Sequence, residues 1–251
     1  MFMRLVQAKV KPEELYRLRA SYEERIVPAL QKTPGCLYAG LMQGTQERDE
    51  VISMTLWESQ EHAEAYIKSG LFQQLLDEAR PMFAESSEWH VQLSKDLTLE
   101  YVPVATEPTI KAFPIAAMSG ETKSAGEKPS QVYLRIVSMK LKEGMQEEFQ
   151  QLYVHEIIPS LQTTKDCRHA YLLMPGAHSQ EALSVTIWDS KEAADSYEQS
   201  GTFAALVEKV KHTFTDMYQW KMNLDKHHRQ AASSDDITVG RYSVVTGKEF
   251  H

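Results

Sequence analysis

Five side chains able to hold or orient a small molecule occur twice in this chain, always 131 residues apart. They are Tyr22 and Tyr153, Ser53 and Ser184, Thr55 and Thr186, Trp57 and Trp188, and Tyr66 and Tyr197. Hydroxyls set among apolar neighbours donate hydrogen bonds, and aromatic faces pack against rings, so together they suit an uncharged, ring-lined pocket. Ser53, Thr55 and Trp57 alternate with Ile52, Met54 and Leu56. In a strand this places the hydroxyls on one face and the aliphatic groups on the other. Ser184, Thr186 and Trp188 repeat the pattern against Leu183, Val185 and Ile187. Tyr22 and Tyr153 fall on the apolar face of a helix, where a tyrosine packs its ring and finds one hydroxyl partner, or reaches a pocket between helix and sheet.

The same filter removes other chemistries. None of the nine histidines has a histidine mate: His62 aligns with Ala193, His155 with Glu24, His90 with Lys221 and His212 with Pro81. His227 and His228 have no spaced acidic or cysteine companions, so no metal site is expected. Cys36 and Cys167 recur, but without a recurring histidine base they read as buried small residues rather than nucleophiles. There is no glycine-rich phosphate loop and no nucleotide fingerprint. No resident metal or cofactor is therefore expected.

The elements that must position these residues follow from the repeat. The stretch 55–75, TLWESQEHAEAYIKSGLFQQL, answers 186–206, TIWDSKEAADSYEQSGTFAAL. The register holds without a gap from Arg4/Arg135 to Trp89/Trp220 and includes Lys9/Lys140, Pro28/Pro159, Gly70/Gly201, Phe72/Phe203 and Phe83/Phe214. Each copy reads β-α-β-β-α-β. Residues 2–10 alternate as a strand. Leu15, Leu18, Tyr22, Ile26 and Leu30 then share one helical face, and Pro28 or Pro159 is expected to bend or end that helix. A strand from Gly35 to Gln43, a polar turn and the strand Glu50–Trp57 follow. Ser59 and Ser190 are expected N-caps of the next helix, and Gly70 and Gly201 are expected to split it. A last strand is expected near Glu88–Leu93, and near Trp220–Leu224 in the second copy. Phe72 and Phe83, with their mates, read as core.

The domain reading is a first module over 1–102, a linker over 103–130, a second module over 131–226, and a tail over 227–251 with a short strand. With 251 residues and 42% hydrophobic content, each copy can bury a core. The net charge of -8 argues against nucleic acid, because phosphate binding needs a basic face. No apolar run is long enough to span a membrane, and the N-terminal residues carry no signal-peptide pattern. Two cysteines suit a reducing compartment, so a cytoplasmic protein is expected.

The segment Trp57-Glu58-Ser59 through Glu61, Ala63, Tyr66, Ser69-Gly70 and Phe72, with its copy from Trp188 to Phe203, resembles the antibiotic biosynthesis monooxygenase (ABM) domain family. The resemblance covers nearly all of both copies. It implies α+β, ferredoxin-like modules whose sheets pair as a dimeric α+β barrel, here supplied by one chain as a pseudo-dimer, with further self-association left open. It also implies cofactor-independent oxidation of a phenolic or quinol-like small molecule, with Trp57 and Trp188, seconded by Tyr66 and Tyr197, as catalytic candidates. Ser53, Ser184, Thr55, Thr186, Tyr22 and Tyr153 are the substrate-binding candidates. The family's oxygenases use an Asn four residues before the strand Trp and a Tyr six after it; this chain has Ser53 and Ser184, then Ala63 and Ala194. That departure keeps two other readings in view: a structural Trp, and a non-catalytic ligand-binding or stress-response protein. The haem-degrading branch uses an Asn, a Trp and an axial His where this chain has Ala8/Met139, Tyr66/Tyr197 and Leu76/Val207. No axial imidazole is present at either place.

Overall fold

The computed structural model describes residues 1–93, 99–105, 108–119, 132–174, 180–215 and 237–250. The chain divides into two compact units. One holds the first copy, Arg4–Lys111, together with Val245–His251; the other holds Met1–Met3 and Ala112–Val244.

In the first unit, β1 (Phe2–Lys9) leads to a helical segment made of α1 (Leu15–Ser21), a π-helical turn (Tyr22–Ile26) and α2 (Val27–Gln31). The chain then runs through β2 (Cys36–Gly44), β3 (Glu50–Trp57), α3 (Gln60–Lys68), α4 (Leu71–Ala79), β4 (Glu85–Leu93) and β5 (Leu99–Ala105). The strand order is β1-β3-β2, and β2 and β3 pair antiparallel from Cys36↔Trp57 to Gln43↔Val51. β4 starts beside the end of β1, through the Ala84 N–H to Lys9 carbonyl bond and a bridge between Val10 and Phe83. It then pairs with β5 as a separate two-stranded sheet. The C-terminal residues add to this unit, with the Phe250 N–H donating to the Leu37 carbonyl at 2.8 Å.

In the second unit, β6 (Thr109–Met118), β7 (Tyr133–Lys140), α5 (Gln146–Leu152), a π turn (Tyr153–Ile157), α6 (Ile158–Thr163), β8 (Cys167–Leu173), β9 (Glu181–Trp188), α7 (Lys191–Gln199) and α8 (Thr202–Val210) repeat the plan. β10 (Ile237–Glu249) closes the chain and pairs with β7 from Ile237↔Met139 to Ser243↔Tyr133. The strand order is β10-β7-β9-β8-β6, all antiparallel. Two of these strands come from outside the repeat. The stretch read from sequence as a linker carries β5 and β6 in its described part, and the expected short terminal strand spans thirteen residues. Residues 220–224 and His227-His228 lie outside the described residues.

Of the two outcomes expected of the prolines, a bend or an end, the second does not occur. Neither Pro28 nor Pro159 ends its helix. Proline has no N–H to donate, and its ring crowds the carbonyl four residues back. The helix widens just before it: Val27 N–H bonds to Tyr22 O and Ile158 N–H to Tyr153 O, each five residues back, and the α-helix resumes. A π turn of this kind re-aims the residues at its start, here Tyr22 and Tyr153.

The caps and breaks fall where the sequence places them. Ser59 Oγ accepts from the His62 N–H and Ser190 Oγ from the Ala193 N–H. Gly70 and Gly201 sit at φ of 79° and 81° between the paired helices. No atom lies within 4 Å of a Cβ built on Gly70. Gly70→Ala is therefore expected to lose about 1 kcal/mol through backbone conformation alone, measurable as a shifted urea midpoint with unchanged slope.

Candidate functional site

A cavity lies in the first unit between the sheet and its helices. The sheet contributes Arg4, Val6 and Ala8 from β1, Leu41 from β2, and Val51, Ser53 and Thr55 from β3. The helices contribute Leu18, Tyr22, Ile26 and Leu30 on one side and Tyr66, Phe72, Leu75, Leu76 and Ala79 on the other, with Phe83 beyond. It offers about 80 Å³ in which the centre of a water molecule can move, room for roughly six waters. The hydroxyl-bearing face of β3 is thus the one turned toward the helices. Ile52 and Met54 are buried on the opposite face.

Five polar side chains interrupt the apolar wall. The Tyr22 hydroxyl and Ser53 Oγ share a hydrogen bond of 2.9 Å, a contact the π turn sets up. Burial pushes the Tyr22 phenol well above its ordinary range, against the opposing pull of the Ser53 bond. Thr55 Oγ1 accepts the Trp57 indole N–H at 2.9 Å. Trp57 is fully buried and does not line the cavity. It stacks on Tyr66 with ring centroids 5.0 Å apart. Its position fixes both Tyr66 and Thr55, which do line the cavity. Burial pushes the Tyr66 phenol up to about 12, opposed by the Arg4 guanidinium. Neither tyrosine is a base near neutral pH; both are donors.

Arg4 is the fifth. It is 3% exposed, and its guanidinium lies 3.7 Å from the centroid of the Phe72 ring and 6.0 Å from that of Tyr66. Its Nε is sealed from solvent without a hydrogen-bond partner. Burial pulls its pKa below the ordinary arginine value, partly offset by Tyr66. Sequence reasoning recorded Arg4 only as a point of register. An arginine in the middle of a buried strand, among Leu5, Val6 and Ala8, was the signal that marks it. Phe72 and Phe83, read as core, prove to be cavity walls.

The second copy preserves the polar framework and fills the space. Tyr153 and Ser184 share a hydrogen bond of 2.8 Å, Trp188 donates to Thr186 Oγ1 at 2.9 Å, and Trp188 packs on Tyr197 at 5.0 Å. The partners of Ala8, Leu18 and Ala79, however, are Met139, Phe149 and Val210. All three are buried in one continuous core with Tyr153, Leu172 and Phe214. The arginine differs as well. Arg135 Nε is bound by Glu198 at 2.6 Å, and Arg241 holds the other oxygen of the same carboxylate at 2.6 Å. Burial pushes the Glu198 carboxyl up, but the two guanidiniums outweigh it and hold its pKa below the ordinary range.

The remaining candidates do not join the site. Burial pushes the Cys36 and Cys167 thiols up to about 12, so neither supplies a thiolate near neutral pH. His62 packs beside Gly35 and contacts Ser59, and His212 pairs with Glu148 at the surface. Among the described residues no group of three His, Cys, Asp or Glu could hold a metal ion, and no helix is long and apolar enough to cross a membrane. Of the three positions used by the haem-degrading branch, the first copy places Ala8, Tyr66 and Leu76 on the cavity wall, none an imidazole.

Comparison with known proteins agrees with this geometry. Two solved structures, candidate monooxygenases from Lactobacillus acidophilus NCFM and Fusobacterium nucleatum, each cover 99% of this chain at 8% identity. Their TM-scores are 0.67 and 0.68, and the match spans 95% and 94% of their own lengths. An anthrone oxidase-like protein covers 99% of the chain at 14% identity with a TM-score of 0.57, over 92% of its length. At such identities these likenesses establish the fold. No curated protein matches the sequence. The profile of the antibiotic biosynthesis monooxygenase family matches residues 1–78 and again residues 132–209. With both copies matched in this way, the chain belongs to the antibiotic biosynthesis monooxygenase family as a tandem of two ferredoxin-like modules.

Proposed function

We propose that the first copy's cavity is the working site of a cofactor-independent monooxygenase acting on a phenolic or quinol-like small molecule. The observation that carries this reading is the cavity itself: an aromatic and aliphatic wall with three neutral donors, Tyr22, Ser53 and Tyr66, and one cation. A ring-activated CH₂ that becomes a carbonyl takes up one atom of dioxygen; the other leaves as water with the two hydrogens, and the substrate supplies all the electrons. Such a step needs an electron-rich phenolate in a dry site with donors toward its oxygen. The anthrone oxidase-like relative suggests the same substrate class. In this reading Tyr66, Tyr22 and Ser53 orient the ring, Thr55 lines its face, and Trp57 is a positioning residue acting through Tyr66 and Thr55. The matching Trp188, Tyr197, Tyr153, Ser184 and Thr186 are then a structural echo.

One observation favours a second reading, ligand binding without chemistry: the Trp57 indole N–H is already taken by Thr55. Oxygen uptake with anthrones and hydroquinones separates the two. The oxygenase reading expects turnover that falls about 10- to 100-fold in Tyr66→Phe and less in Tyr197→Phe. Absence of uptake with every substrate, alongside measurable binding, would replace it with the second. The pH profile offers a further check. Because Tyr22, Tyr66 and Cys36 all titrate well above neutrality, the acid limb should follow the substrate's own phenol. Substrates of lower phenol pKa should move that limb down; a limb fixed across substrates would point to a protein group instead.

A further inference from the structure

We propose that the first copy's cavity selects aromatic ligands that carry an oxyanion, with Arg4 as the group that receives it, and that the second copy has given up this capacity. The inference rests on the first-copy cavity as the working site, and deepens it by naming the charge of what binds. Arg4 is buried and lines the cavity, its Nε has no hydrogen-bond partner, and no acidic side chain lines the cavity with it. A buried cation without a counter-charge is costly, and proteins ordinarily pair it. The second copy does so: Arg135 occupies the same register position and Glu198 neutralises it. The first copy has Ile67 where Glu198 stands, so the carboxylate missing from the protein is left for the ligand to supply. The guanidinium over the Phe72 ring is held in place by that contact, with its Nε donor not consumed. An aromatic carboxylate or an ionised phenol matches this arrangement: rings against Phe72, Tyr66 and the aliphatic wall, and an oxygen anion on the planar donor fork.

The two sources of oxyanion, and the oxygenase reading itself, separate in one set of titrations on the full chain. Binding of benzoate and 2-naphthoate is compared by calorimetry with that of the neutral amides, benzamide and 2-naphthamide, and 2-naphthol is titrated across its own ionisation. A charge-assisted bond predicts that carboxylates bind about 10- to 100-fold tighter than amides. It also predicts that 2-naphthol tightens as it ionises. Arg4→Met should erase the preference. Ile67→Glu, which installs the second copy's own counter-ion at a surface-accessible position (44% exposed), should erase it while leaving arginine and fold in place. Circular dichroism of both variants shows that they remain folded, and failure of one leaves the other to decide. Equal binding of anions and amides, or a preference that survives in both variants, overturns the proposal. These outcomes are independent of turnover: anion selectivity without oxygen uptake would sink the oxygenase reading alone, and uptake from neutral-binding substrates would sink this one alone. Tightening with 2-naphthol but not with the carboxylates assigns the site to phenolates; the reverse assigns it to carboxylates.

Discussion

Glu198→Ala is expected to destabilise the protein by about 2–3 kcal/mol, lowering its melting temperature by about 5–10 °C. Glu198 joins two cations, Arg135 at 2% side-chain exposure and Arg241 at 28%. Its removal leaves the Arg135 guanidinium buried with a second nitrogen unsatisfied, since Nη2 already has no hydrogen-bond partner. A wholly buried pair would give about 3–5 kcal/mol; the 22% exposure of the Glu198 side chain reduces that figure through solvent screening. The same carboxylate sets a pH dependence. Its pKa is lower in the folded state than in the unfolded chain, despite the opposing effect of burial, because Arg135 and Arg241 favour the charged form. Its contribution is therefore present above the ordinary carboxylate range and is lost as pH falls through the depressed folded value. Acid unfolding of wild type and Glu198→Ala should converge at low pH. Parallel acid titrations that keep a constant gap would contradict this.

Arg4→Met is expected to act in the opposite direction, raising stability by about 1–2 kcal/mol while removing anion binding. The substitution replaces a buried cation whose Nε has no hydrogen-bond partner by a flexible apolar chain of similar reach. The lost contact with Phe72, worth about 0.5–2 kcal/mol, is smaller than or comparable to the desolvation relieved. The contrast is Arg135→Met, which strips Glu198 of one of its two partners and should lower stability. Urea midpoints of the two variants give the comparison. A protein whose stability drops equally in both would have an Arg4 that is structural, and the retention of a buried arginine there would then need another explanation.

Much of this protein was readable before any coordinates. A gapless repeat over more than eighty residues reports its own fold, because every periodic signal is written twice. The period-two alternation of Ile52 to Trp57, the Ser59 and Ser190 caps and the positive-φ glycines at 70 and 201 were all local, and local preference decided them. The prolines, expected to bend or end their helices, do not end them, for a physical reason. A helix tolerates an interior proline if it can widen by one residue, and here it does so just before Pro28 and Pro159. The strand β6, inside the stretch that reads as a linker, escapes the sequence for a different reason. It finds its ladder far along the chain, on β8, and no local pattern announces a distant edge.

Which side chains recur is written in the order of residues: the Tyr, Ser, Thr and Trp set, and with them the arginines. It could not tell that the two sets differ in their surroundings. That difference resides in side-chain volume and charge summed over several elements. Met139, Phe149 and Val210 come from a strand and two helices and meet only in the folded core. Glu198 reaches Arg135 across sixty-three positions of chain. In the first copy the same positions carry Ala8, Leu18, Ala79 and Ile67, so the space stays open and no carboxylate lines it beside Arg4. A repeat preserves identity position by position, whereas a cavity and an ion pair are properties of residues brought together. Only the tertiary structure could therefore assign the open site to the first copy.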